Sequence, residues 1–319
     1  MKLGWVGFHM EGIPALEAVL ATGAPVAAVL TLKPEVRASR SGAADYGPLC
    51  RRFGVPLHEV TNINDPESRS LLRGLDLVFV IGWSQILSPE TLATARLGMI
   101  GAHASLLPKN RGSAPINWAL IRGEHLTGNS LIWLAAGVDA GDLIDQTEFQ
   151  ISRYDTCGTL YDRVAASNRD MILRALPRLL QGERLGSPQA KANGGSAVLP
   201  RRRPADGLIN WDQKACAVYN FIRALTKPYP GAFGWLDGRR WTVWRAALLP
   251  AVARAAASSP APGEVLGPTV SPEEQACGQV VACATGAVTL LEVEADDGTV
   301  FSGRRLSELP WTGRRWSHA

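Results

Sequence analysis

Two residues of this chain have the types and surroundings to move protons. His103 closes an apolar run, Met99–His103, that reads as a strand. Asp139 lies in Ala136-Gly137-Val138-Asp139-Ala140-Gly141-Asp142, a Gly-flanked stretch that follows a second apolar run, Ser130–Ala135. Imidazole changes charge near neutral pH, and a carboxylate beside it orients the ring and favours its charged form. Such a pair is a general acid–base device. The competing reading is local: a lone His beside a strand packs or caps, and an Asp near Gly shapes a turn. The intervening stretch HASLLPKNRGSAP runs from His103 to Pro115. It is longer than a strand-to-helix connection needs, and long loops over the carboxyl edge of a sheet commonly carry function.

The elements that must position this pair read as alternating strands and helices. Leu3–Gly7, Pro25–Leu30, Leu75–Ile81, Met99–His103 and Ser130–Ala135 are apolar and short. Ile13–Ala21, Pro48–Phe53, Pro89–Ala95, Ala114–Arg122 and Thr159–Leu180 carry helical spacing or helix-opening signals, such as Ser88 before Pro89. Buried strands alternating with helices predict an α/β fold with a doubly wound, mostly parallel sheet. In such a sheet, ligands bind outside the carboxyl ends of the strands. That places the candidate site among the turns at 8–12, 82–87, 103–115 and 136–142.

Composition shifts after Leu180. GERLGSPQAKANGGSAVLPRRRPADG is rich in Gly, Pro, Ser, Ala and Arg and reads as a linker. Beyond it, Ala215–Leu225 reads as a helix. Short β runs then follow: Ala232–Leu236, Trp241–Ala246, Gly263–Leu266, Gln279–Ala284, Ala287–Glu292 and Thr299–Phe301. Their spacing predicts a small barrel. Pro250–Pro262 is low in complexity and reads as a surface loop. Trp211, Trp235, Trp241, Trp244, Trp311 and Trp316 fall in this half. They pack a small core or stack bases and sugars.

The chain has 319 residues, 46% hydrophobic and 19% charged, with a net charge of +4. The length predicts about two domains, and the balance is that of a globular protein rather than a disordered one. The charge is permissive for nucleic acid without demanding it; Arg201-Arg202-Arg203 is the one dense basic cluster. No apolar stretch is long enough to span a membrane. The opening MKLGWVGFHMEGIPALEAVL reads as strand, turn and helix rather than as a secretory leader. Five scattered cysteines without a CxxC pair argue against a disulfide framework or a zinc site, and place the protein in a reducing cytoplasm.

HASLLPKNRGSAPINWALIRGE, followed by TGNSLIWLAAGVDAGDLI, resembles the signature of the folate-dependent formyltransferases. GFHMEGIPALEAVLATGAPVAAVLT is similar to the opening of the sugar-amine enzymes of that family. RRRPADGLINWDQKACAVYNFIRALTKPYPGAFGWLDGRR is similar to the start of the C-terminal barrel that follows in several members. The resemblance implies a Rossmann-like catalytic domain over 1–185, a linker over 186–206 and an OB-like β-barrel over 207–319. It also implies transfer of a formyl group from 10-formyltetrahydrofolate to an amine. His103 matches the family's catalytic His, and Asp139 the Asp of its D-x-G-D element. The family's Asn, two residues before the His, is here Gly101, which carries no side chain to an oxyanion.

Further expectations follow from the resemblance. Ser84, Gln85, Ile86 and Leu87, with Ala136, Gly137, Val138 and Ala140, correspond to the loops that hold the pterin. His9, Ser105, Leu106, Leu107, Pro108, Lys109 and Arg111 are the expected acceptor-side residues, and no metal is called for. Gly112 is assigned to loop geometry. TLKPEVRASRSGAADYGPLC mixes Lys33, Arg37 and Arg40 with Glu35 and Asp45. That stretch favours a small, nucleotide-linked amino sugar as acceptor. Initiator tRNA is the alternative acceptor, and a folate- or nucleotide-binding protein with little turnover, through Gly101, is the second alternative.

Overall fold

The computed structural model describes residues 1–190, 198–248 and 260–317. Residues 191–197 of the expected linker and 250–259 of the low-complexity loop lie outside the described residues. The chain divides into two compact units. The first comprises residues 1–116, 125–151 and 159–201; the second comprises 117–124, 152–158 and 202–319.

The first unit is built on β1 (Leu3–Val6), β2 (Val26–Leu32), β3 (Leu57–Val60), β4 (Leu77–Val80), β5 (Gly98–His103), β6 (Leu126–Trp133) and β7 (Leu143–Gln150). They form one sheet in the order β3-β2-β1-β4-β5-β6-β7. The first five pair in parallel; β6 and β7 join antiparallel. Strand alternation sends Leu3, Trp5, Leu77, Phe79 and Ile81 into one core, and Val6, Leu30, Val78 and Val80 into another on the opposite face.

Helices α1 (Ile13–Ala21), α2 (Pro34–Arg37), α3 (Gly47–Phe53), α4 (Pro66–Leu72), α5 (Pro89–Leu92) and α7 (Cys157–Leu180) complete the alternation, while α6 (Pro115–Ile121) belongs mostly to the second unit. The first core receives Leu16, Val19 and Leu20 of α1 and Met171, Ile172, Ala175 and Leu179 of α7, at helical spacing. Leu72 of α4 closes the other. Ser88 caps α5 as its type predicts, accepting from the Thr91 N–H at 3.2 Å.

The second unit contains α8 (Ala215–Leu225), β8 (Ala232–Leu236), β9 (Arg239–Leu248), β10 (Val265–Thr269), β11 (Gly278–Ala282), β12 (Ala287–Ala295), β13 (Val300–Ser302), α9 (Gly303–Ser307) and β14 (Trp316–Ser317). The strands form a curled antiparallel sheet in the order β10-β11-β12-β9-β8-β14, with β13 on β12. The ends of the path meet: Val265 N–H donates to Arg314 O at 2.8 Å, Gly313 N–H to Val265 O at 2.8 Å, and Trp316 N–H to Gly263 O at 2.9 Å. Trp211, Trp241, Trp311 and Trp316 are buried and in ring contact, with centroids 4.8–5.9 Å apart. Four of the six tryptophans of this half therefore build its core rather than a stacking surface. Trp235 and Trp244 are half-buried, and the Trp244 indole N–H donates to Glu294 Oε2 at 2.8 Å.

The cysteines give a direct check on this packing. Burial pushes the Cys50 thiol up to about 11 and those of Cys157 and Cys283 up to about 12, while Cys277 is buried and Cys216 is exposed. The thiolate is the reacting species. The folded protein is therefore expected to take up one equivalent of N-ethylmaleimide at neutral pH, at Cys216, and the unfolded protein to react at all five. Mass mapping of a second fast site would contradict the described burial.

Candidate active site

β5 ends on His103, near the middle of the first sheet. The loop that follows is tightly fastened. Ser105 Oγ donates to Lys109 O at 2.8 Å, Ser130 Oγ to Ser105 O at 2.6 Å, and Gln146 Nε2 to Leu107 O at 2.9 Å. Asn110 and Ala114 sit at φ of 57° and 55°, in the left-handed region that non-glycine residues rarely adopt. These bonds hold the Asn110 carbonyl 2.8 Å from His103 Nε2. A carbonyl only accepts, so Nε2 carries a proton.

Asp139 reaches the same ring from the other side. Because β6 runs antiparallel to β5, with His103 opposite Ser130 and Ile100 opposite Trp133, the loop after β6 leaves near the start of β5. It must travel back about three residues of rise, on the order of 10 Å, to meet His103. Two backbone features allow this. Gly141 approaches Trp133 so closely that a Cβ would lie 1.7 Å from its carbonyl oxygen, and Asp139 turns at φ 48°. Asp139 Oδ2 then stands 3.4 Å from His103 Nδ1 and accepts the Gly112 N–H at 2.9 Å. Gly112 is itself obligatory: at φ 108°, a Cβ there would meet the Leu199 backbone at 2.5 Å.

His103 is 8% exposed, and acceptors face both of its nitrogens. It can donate to both only as the imidazolium. The Nδ1–Asp139 contact is the longer of the two, and Asp139 is the more exposed of the two acceptors. Gly101 lies two residues earlier on the same face of β5. A Cβ on it would meet Leu134 Cδ2 at 2.6 Å, so a larger residue there would need the end of the half-buried Leu134 side chain to turn aside.

The remaining expected residues separate into distinct groups. Ile86 is 82% exposed and Val138 43%, two large apolar side chains open to solvent on the two loops expected to hold a flat ring. Ser84, Ala136, Gly137 and Ala140 are also exposed. Leu87 packs against the sheet core, and Gln85 braces the loop after β3, accepting from Ile63 N–H at 2.9 Å and donating to Thr61 O at 2.8 Å.

On the acceptor side, Leu107 and Ser105 are buried within their own loop, Leu106 and Pro108 are half-buried, and Lys109 is exposed. Arg111 Nη2 donates to Gln189 at 2.9 Å. His9 is enclosed: its Nδ1 caps the following turn by accepting the Glu11 N–H at 3.4 Å, and its ring lies tilted against that of Tyr161, centroids 5.0 Å apart. Its Nε2 faces Gly42, where a Cβ would lie 1.9 Å away. Sequence reasoning missed Leu134 and Gln189. Nothing in the type of either residue announces a site; they are found only through the register of β6 and the path of the chain after α7.

Among the described residues, no group of three or more His, Cys, Asp or Glu is placed to hold a metal ion, and no helix is long and apolar enough to cross a membrane.

Comparison with known proteins gives the fold a lineage. Residues 19–176 match the formyl transferase family, and residues 202–307 match the formyl transferase C-terminal domain. HypX from Aquifex aeolicus, solved in complex with tetrahydrofolic acid, superposes with a TM-score of 0.63 at 16% identity. That match covers 96% of this chain but 46% of HypX, so the chain spans less than half of HypX. WlaRD, a sugar 3N-formyl transferase solved in the presence of dTDP and 5-N-formyl-THF, is similar over 94% of this chain and 99% of its own, at 16% identity and a TM-score of 0.65. A methionyl-tRNA formyltransferase from Clostridium thermocellum matches 78% of this chain and 94% of its own, at 20% identity and a TM-score of 0.57.

Proposed function

The chain belongs to the formyl transferase family, and from that premise we propose that it transfers a formyl group from 10-formyltetrahydrofolate to the amine of a small, nucleotide-linked amino sugar. The observation that carries this reading is the His103–Asp139 pair, with Nδ1 and Oδ2 3.4 Å apart on a ring whose Nε2 is tied to Asn110 O.

The reaction forms one C–N bond to the acceptor and breaks the bond between the formyl carbon and folate N10. The amine gives up a proton, and N10 gains one. Neutral His103 can take the first at Nδ1, with Asp139 beside it, and return it to N10; the imidazolium present in between stabilises negative charge on the formyl oxygen. The co-substrate supplies the activated formyl group. This chain's part is to hold its ring, for which the solvent-open apolar side chains of Ile86 and Val138 and the exposed residues 136–138 are suited.

Charge in the second unit supports a small acceptor over tRNA. Arg239 pairs with Asp296 at 2.7 Å and Asp297 at 2.5 Å, Arg314 pairs with Asp237, and Arg245 pairs with Glu292 at 3.6 Å. Arg240 and Arg305 lie over the rings of Phe233 and Phe301 at 4.3 and 5.5 Å. Arginines already matched to carboxylates release fewer counterions on a phosphate backbone.

The test supplies 10-formyltetrahydrofolate with dTDP-3-aminofucose or with methionyl initiator tRNA and follows formation of tetrahydrofolate. Turnover with the amino sugar alone is the expected result. Turnover with the tRNA alone would replace the acceptor reading. Tight folate binding without turnover on either would favour the binding-protein alternative, which Gly101 keeps in view.

A further inference from the structure

The catalytic Asp139 of the proposed reaction sits on a loop with a problem. It has been carried back over the sheet from the far end of an antiparallel strand, and it holds a left-handed turn at a non-glycine residue, φ 48°. Left to itself such a loop relaxes, because a strained backbone persists only where its surroundings over-determine it.

Those surroundings come from the chain after α7, the stretch whose composition reads as a linker. Leu185 O accepts the Trp133 indole N–H at 2.7 Å, and Ser187 exchanges both backbone hydrogen bonds with Leu143 at 2.8 and 2.9 Å. Gln189 follows. Its Nε2 donates to Asp139 O and to Gly141 O, each at 2.8 Å, and its Oε1 accepts Arg111 Nη2 at 2.9 Å. A second arm returns at Leu199, whose N–H donates to Arg111 O at 2.7 Å and whose carbonyl accepts Ser113 N–H at 3.1 Å. One side chain therefore ties the loop of Asp139 to the loop of His103, and the backbone beside it presents Gly112 N–H to the Asp139 carboxylate.

We propose that Gln189, held by Arg111, is the positioning residue of the catalytic pair, and that residues 185–189, after α7, form a strap that sets the distance between His103 and Asp139. Arg111 then serves the strap rather than the acceptor side to which the resemblance assigns it. An amide is the side chain this role requires. It donates to two carbonyls while accepting from a guanidinium, which neither a carboxylate nor an alkyl chain does.

The inference rests on the proposed role of Asp139, so its test has one readout that needs no turnover. Gln189→Ala is expected to lower kcat about tenfold or more, as small misplacements of a catalytic group do, with KM for 10-formyltetrahydrofolate within about twofold of wild type. In an Asp139→Asn background the same change is expected to cost nothing further, since the group it positions is gone. Gln189→Glu keeps the Arg111 partner but cannot donate to the two carbonyls, and is expected to match Gln189→Ala. Independently of activity, amide hydrogen exchange at Gly112 is expected to quicken in Gln189→Ala. An equal loss in both backgrounds, full activity in Gln189→Glu, or unchanged protection at Gly112 would each overturn the assignment. Quickened exchange in a protein that never turns over would leave the strap standing and remove the formyl-transfer reading instead.

Discussion

His103→Ala is expected to reduce formyl transfer by about a thousandfold in kcat, within the range that loss of a general acid–base and oxyanion-stabilising group produces. The change removes both functions the ring can serve: passing a proton along the Nδ1–Asp139 side and placing positive charge beside the formyl oxygen. It also strips the Asn110 carbonyl of its 2.8 Å partner, so the loop can loosen. His103→Gln separates the two effects. A glutamine amide can donate to Asn110 O but cannot relay a proton, so it should retain folate binding and thermal stability while losing turnover to the same degree. Steady-state kinetics, with folate affinity measured by titration, reads both. If either variant keeps more than about a third of wild-type kcat, His103 is a packing residue, and the bland reading of a histidine beside a strand was the right one.

The sequence marks this site unevenly, for physical reasons. Buried central strands announce themselves: Leu77–Ile81 is apolar on both faces because helices cover both sides of the sheet, and β4 lies inside it at Leu77–Val80. β3 and β7 were not expected. LHEV and LIDQTEFQ belong to edge strands that are only partly covered, so their polar residues mask the β pattern. α4, whose PESRSLL buries only Ser68 and Leu72, was silent for the same reason. α8 matches its expected bounds, Ala215–Leu225, because its apolar stripe is complete.

Within the site, His103 and Asp139 were legible as residue types at loop ends. Their pairing was read from residue types and from the resemblance; the route by which they meet was not, because it depends on β6 running antiparallel, which nothing in SLIWL encodes. The strap was hidden for a related reason. Gly, Ser, Pro and Ala mark irregular backbone, and irregular backbone reads as linker whether it hangs free or, as at Ser187, Gln189 and Leu199, is hydrogen-bonded to the neighbouring loops.

Gly101 poses the sharpest chemical question, and Leu134 gives it a quantitative form. If an amide at position 101 would reach the formyl oxygen, restoring it should supply the part of the barrier that one oxyanion donor commonly supplies, about 2.7–4 kcal/mol, or roughly a hundredfold to a thousandfold in rate. Gly101→Asn alone should fail to show this gain. Its Cβ would lie 2.6 Å from Leu134 Cδ2, the end of a half-buried side chain that must turn aside, and crowding of this kind costs up to about 1–3 kcal/mol. That cost should appear as a lower melting temperature. Leu134→Ala alone removes the crowding side chain without adding a donor, so it should change kcat little. The two together are the informative protein: room for the amide and an amide to fill it. Their kcat is expected to exceed wild type by about a hundredfold, a gain neither single change predicts, because the sites touch and their effects are not additive. A double variant that folds, binds folate and runs at least tenfold slower than wild type would reverse the conclusion. Leu134 would then be part of the working surface, an apolar wall against the reacting groups, and this chain would stabilise its oxyanion without a side-chain amide, through the His103 imidazolium.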